Sequence, residues 1–185
     1  MTHNFNDSLK QSHAAEDLPF WREIYKQAFL NMAEMVNHRQ DGEHQRVGID
    51  RSIILQNSKQ ILVDEKVRGR NKKTGKIYTD IALEYWSDYE RKVPGWVCKP
   101  LRADYIAYAI APLGKCYLLP VLQLQKAWIK YGNFWIEYYK PPIKAENEDH
   151  GRFWTTWSVG VPGDILFKAI GEGLRISFGS FEFTE

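Results

Sequence analysis

Apolar residues near the start of the chain recur with one period and then with another. Trp21, Ile24, Tyr25, Ala28, Met32, Met35 and Val36 follow helical spacing and make one stripe. Asp17 and Pro19 ahead of them read as a helix start, so the spacing predicts a helix running to about His38, broken by "RQDGEH". Three strand-like runs follow: residues 46–55 (RVGIDRSIIL), 59–68 (KQILVDEKVR) and 79–88 (TDIALEYWSD). The short turn "QNS" joins the first two, and the polar turn "GRNKKTGK" leads to the third. The expectation is an antiparallel meander behind a helix.

Further on, "YERKVPGWVCKPLR" is irregular, carrying Pro94, Gly95 and Pro100. Residues 104–112 and 115–121 read as a hairpin, and 121–135 as a helix ended by Gly132. "KPPIKAENEDHGR" reads as a loop, "WTTWSVGVP" as a strand, and Pro162 as the start of a short helix. The alternating tail "LRISFGSFEFTE" fits a last edge strand. This order predicts a mixed sheet meander flanked by helices, of the α/β or α+β class. Residues 1–16 are polar and aperiodic, so a flexible leader is expected there, with 17–185 forming a single domain.

Composition narrows the class. The chain has 185 residues, 44% apolar and 26% charged, which suits a globular protein with a real core. A net charge of +2 means that attraction to nucleic acid would have to come from a local patch. No apolar run approaches the roughly 20 residues that cross a bilayer, and the first residues hold no apolar signal core. Cytoplasmic localisation with no membrane partner is the expectation. Cys98 and Cys116 have no metal-type spacing and read as free thiols. His3, His13, His38, His44 and His150 show no ligand-like spacing and are expected in solvent-exposed roles.

The second strand changes the picture. Alternation puts Leu62, Asp64 and Lys66 on one face and Ile61, Val63, Glu65 and Val67 on the other. A hairpin register centred on Asn57 would bring Asp50 near Asp64. Glu84, in the apolar setting of the third run, would add a further acid to that face. Such carboxylates are hard oxygen ligands suited to Mg²⁺ or Mn²⁺, and a lysine beside them could orient water or stabilise phosphate charge. The same charges also fit a solvated edge-strand ladder that blocks aggregation.

Asp50 followed by Asp64-Glu65-Lys66, on strands behind a helix, resembles the PD-(D/E)XK nuclease superfamily. The surrounding "GID…ILVDEKVR…DIALEYWSD…PGW" more loosely resembles uncharacterised phage and prophage proteins of that superfamily. The likeness spans roughly residues 18–125, and its motif is short. It implies a restriction-endonuclease-like core that cleaves DNA with Mg²⁺. By position, Asp50 and Asp64 would be metal ligands, the Glu65 backbone carbonyl a further ligand, and Lys66 the catalytic lysine. Ile49 stands where proline is usual, and neither Glu23 nor Glu34 matches the glutamate that many members carry on the first helix. Glu84 is the candidate for that additional acid.

The run 66–76 holds Arg68, Arg70, Lys72, Lys73 and Lys76 without a compensating acid, and reads as a backbone-gripping hairpin or a solvated loop. The leading expectation is thus a metal-dependent DNA endonuclease, for which a homodimer would serve two-strand cleavage. The rivals are a non-catalytic nucleic-acid-binding module on the same fold and a phage structural or interaction protein.

Overall fold

The computed structural model describes residues 2–4, 18–38, 40–71, 74–171 and 173–183. Along the chain the elements are β1 (Thr2–Asn4), α1 (Phe20–Ala28), β2 (Met32–Asn37), α2 (Gly42–Arg46), β3 (Arg51–Leu55), β4 (Gln60–Arg68), β5 (Asp80–Asp88) and β6 (Val93–Pro94). They continue with β7 (Tyr105–Ile110), β8 (Lys115–Pro120), α3 (Val121–Tyr138), β9 (Ile143–Asp149), β10 (Arg152–Pro162), α4 (Gly163–Ile170) and β11 (Leu174–Ser177). This is the expected mixed α/β class. The elements divide into two compact units, each assembled from separate stretches of chain.

The first unit is built on a six-stranded sheet in the order β11-β8-β7-β4-β3-β2. Strands β2, β3 and β4 form an antiparallel meander, β7 lies parallel to β4, and β8 and β11 continue antiparallel. Helix α1 buries Phe20, Trp21, Ile24 and Tyr25. They cluster with Ile53, Val63, Ala107, Ala109 and Leu118, which come from four successive strands. Residues of alternate positions on β4 therefore face α1, and the intervening ones face away.

The expected first helix stops early, at Ala28. Phe29 leaves helical geometry, and Met32–Asn37 becomes a strand. Met32, Met35 and Val36 suit either structure by spacing. Pairing decides, because β2 runs along β3 from Met32↔Leu55 to Asn37↔Arg51 and satisfies an otherwise open edge. The third run of the expected meander is also reassigned. β5 does not pair with β4, and the neighbour of β4 is β7.

The second unit holds the five-stranded sheet β1-β9-β10-β5-β6 with α3 and α4. β10 is antiparallel to both β9 and β5, while β1 is parallel to β9. Thr2–Asn4, expected in a frayed leader, thus forms an edge strand, while residues 5–16 lie outside the described residues. Ile143–Asp149, expected as loop, is β9, turning into β10 through His150 and Gly151, both at positive φ. Gly132 does not end α3 but lies inside it. A Cβ there would stand 2.9 Å from the Trp128 ring, so glycine leaves that indole its place along the helix. Pro162 opens α4, as expected. Among the described residues, no helix is long and apolar enough to cross a membrane.

Candidate active site

The β3–β4 hairpin pairs Arg51 with Val63 and Ser52 with Leu62, a register centred on Asn57. Continued one step, it sets Asp50 opposite Asp64. Asp50 lies just before β3, yet its backbone N–H already donates to the Val63 carbonyl (2.9 Å). Asp50, Ser52, Asp64 and Lys66 therefore share the face turned away from α1. Asp50 is anchored from two sides: one carboxylate oxygen accepts from the Glu65 backbone N–H (2.7 Å), the other from the Gln45 side chain (3.2 Å).

Asp64 is only 3% exposed. Burial pushes its carboxyl up to about 7; the Lys66 ammonium opposes this, and the charge of Asp50 and a hydrogen bond to it add to it. Lys66 binds the Asp64 carboxylate, and its Nζ also lies 3.4 Å from the Glu65 carbonyl. Two acids, one ammonium group and one backbone carbonyl thus meet on one sheet face.

The Glu65 side chain goes the other way, into the core beside α1. Arg51 grips it with both Nε (2.6 Å) and a terminal guanidinium nitrogen (3.0 Å), and the Tyr25 hydroxyl donates at 2.7 Å. Burial raises the Glu65 carboxyl, against the pull of Arg51 and Tyr25. The Tyr25 phenol is held well above its usual value by burial first and by Glu65 second. Only the main chain of Glu65 is therefore offered to the acid pair.

Glu84 does not join this sheet face, because β5 belongs to the other sheet. There its carbonyl accepts from Val97 (3.2 Å), and its carboxylate helps raise the Cys98 thiol, behind the larger effect of burial. Within the basic run, Arg68 is 6% exposed with its guanidinium 4.1 Å from the centre of the Tyr78 ring, a buried role rather than a phosphate grip. Arg70 pairs with Glu182 at 3.3 Å and donates to the Gly75 carbonyl. Lys76 lies over Tyr78 at 5.7 Å, and Lys72 and Lys73 lie outside the described residues.

Compared with known protein families, curated proteins and solved structures, the chain matches none.

One group of residues escaped the sequence reading. His38 follows β2, Asp41 caps α2, and His44 lies one turn into α2. The two imidazole rings stack with centroids 4.0 Å apart and planes within 5°. Asp41 Oδ2 sits 2.6 Å from His44 Nδ1, and Ser52 Oγ sits 2.6 Å from His38 Nε2. The histidines are half-buried rather than fully exposed. Burial and the neighbouring His44 hold the His38 imidazole below its usual value, and hydrogen bonds from His44 lower the Asp41 carboxyl. The signal in the sequence was the spacing His-x-x-Asp-x-x-His across a turn that ends in a helix cap.

Proposed function

We propose that this chain hydrolyses phosphodiester bonds of nucleic acid, with DNA as the favoured substrate and Mg²⁺ or Mn²⁺ as cofactor. One observation carries the reading: two carboxyls on adjacent strands crowd each other, one of them buried, with an ammonium group at their side. A lone structural acid gains nothing from such crowding, whereas a divalent cation relieves it. The donors fit a hard cation, being carboxylate and carbonyl oxygens with no sulfur among them. Asp50 and Asp64 would hold the ion, with the Glu65 carbonyl as a third donor. Bound there, the ion would neutralise phosphodiester charge and acidify a water molecule.

The chain's own groups have separate tasks. The backbone N–H of Glu65 and the Gln45 amide fix the orientation of Asp50. Asp64 must lose its proton before it can serve as a ligand, which couples metal affinity to pH. Lys66, released from Asp64, supplies a positive charge that orients the attacking water or stabilises the negative charge that develops on the phosphate. What further supports the reading is the helix-first meander with Asp50 just ahead of its second strand and Asp64-x-Lys66 on its third, the arrangement that the resemblance to the PD-(D/E)XK nucleases implies.

The test is cleavage of double-stranded DNA, single-stranded DNA and RNA by the full chain, with Mg²⁺, with Mn²⁺ and with chelator. Divalent-dependent cleavage that disappears in Asp64→Asn and in Lys66→Ala, both shown to be folded by circular dichroism, supports the proposal. Absence of cleavage on all three substrates, or cleavage persisting in both variants, rejects it.

A further inference from the structure

We propose that His38, Asp41 and His44 form a second metal site, for one borderline transition-metal dication of the Zn²⁺ type. Ligand atoms from the three side chains lie within 4.8 Å of one another. Two imidazoles and one carboxylate are the donors that Zn²⁺, Co²⁺ and Ni²⁺ prefer, whereas Mg²⁺ favours oxygen alone. Three protein ligands leave room for water in the remaining position.

The surroundings support the assignment. Metal-bound histidines usually have their second ring nitrogen held by a neighbour. Here Ser52 Oγ holds His38 Nε2 and is itself fixed by a hydrogen bond from the Gln60 side chain (2.6 Å), leaving Nδ1 to act as ligand. Ser52 is fully buried, so this support is rigid. Asp41 is steadied by the Glu43 and His44 backbone N–H groups (3.0 and 3.2 Å) and faces His44. His44 also lines an open cavity of about 500 Å³, so this ligand is within reach of solvent. The short His44–Asp41 contact marks the place where an ion would replace a proton.

The consequence reaches the acid pair. The His38 backbone N–H donates to the Asp50 carbonyl (2.9 Å), the Ile49 N–H donates to the His44 carbonyl (3.0 Å), and Gln45 contacts the Asp50 carboxylate. An ion held by His38, Asp41 and His44 therefore clips α2 to the end of β2 and fixes the segment that carries Asp50. Binding at this site does not rest on the nuclease reading.

The experiment uses the full chain stripped of metal. Co²⁺ titration is followed by visible absorption, and Zn²⁺ by thermal unfolding. The expected result is one equivalent of Co²⁺ bound, with a rise in Tm of roughly 5–10 °C when Zn²⁺ stands about 100-fold above its Kd. His38→Ala/His44→Ala and, separately, Asp41→Asn abolish both signals with the circular dichroism spectrum unchanged. Ser52→Ala weakens Co²⁺ binding by about 10- to 100-fold. Asp64→Asn keeps both signals, so failure of the phosphodiesterase reading leaves this site standing. No Co²⁺ spectrum, no Zn²⁺ shift, or equal affinity in the double histidine variant, which would mark binding at His3, His13 or His150, overturns the proposal.

Discussion

Asp64 and Glu65 are neighbours on one strand, both buried, and their surroundings are opposite in kind. Glu65 faces α1, where a two-pronged guanidinium and a phenol satisfy it. Asp64 faces away, against a second acid, with one ammonium group for company. A buried acid with a matched cation and donors is part of the architecture. A buried acid pressed against another acid, with one ammonium group that offsets only part of the cost, is relieved further by a proton or a metal ion. Two faces of one strand thus separate a buried acid that is fully matched from one that is crowded.

The largest effect should come from breaking the matched side. Arg51→Ala leaves Glu65 buried without its cation and should cost about 3–5 kcal/mol, measured by denaturant unfolding. The double replacement Arg51→Met with Glu65→Leu should recover most of that loss, because apolar packing can substitute for a buried pair. Failure to recover would show that the ion pair does more than fill the core.

The crowded side should respond with the opposite sign. Asp64 keeps its proton up to about pH 7 in the folded chain but releases it near pH 4 when unfolded. Between those values the native state binds more protons, so stability is fully present at low pH and falls as pH rises through that window. In metal-free protein at pH 8, Asp64→Asn should therefore stabilise the fold, by on the order of 3 kcal/mol, and flatten the fall in stability between pH 4 and 7. The same variant should lose the Mg²⁺-induced rise in Tm, which in the parent chain should grow as pH passes 7. An Asp64→Asn chain less stable than the parent at pH 8 would place Asp64 with Glu65 as a structural acid.

Smaller effects sharpen the contrast. Tyr25→Phe removes one charge-assisted hydrogen bond from Glu65 and should cost about 1.5–3 kcal/mol without touching Mg²⁺ binding. Gln45→Ala removes a half-buried contact to Asp50 and should cost about 0.5–1.5 kcal/mol in stability. Its clearer signature should be weaker Mg²⁺ binding in isothermal titration, the reverse of the Tyr25 pattern.

Much of the acid pair was legible from local rules. Strand alternation separated Asp64 and Lys66 from Glu65, and the short turn around Asn57 fixed the register that sets Asp50 opposite Asp64. Glu84 was misplaced because an apolar strand carries no label saying which sheet it will join. Arg68 was read as a solvent-facing cation because a sequence does not show that Tyr78 will cover it. The histidine cluster was missed because its members come from a strand end, a helix cap and a helix, and only the turn between them brings the rings together.

By itself the sequence determined what depends on near neighbours: the start of α1 at its proline, the β3–β4 register, the opening of α4, and which faces of β4 carry which charges. Only the tertiary structure decided that Met32–Asn37 pairs as a strand, that β7 rather than β5 flanks β4, and that Glu65 finds Arg51 and Tyr25. The physical reason is one of range. Turn chemistry and side-chain alternation act over a few residues, whereas sheet partners and buried ion pairs are chosen by which distant segments together cover the most apolar surface and leave the fewest polar groups unsatisfied.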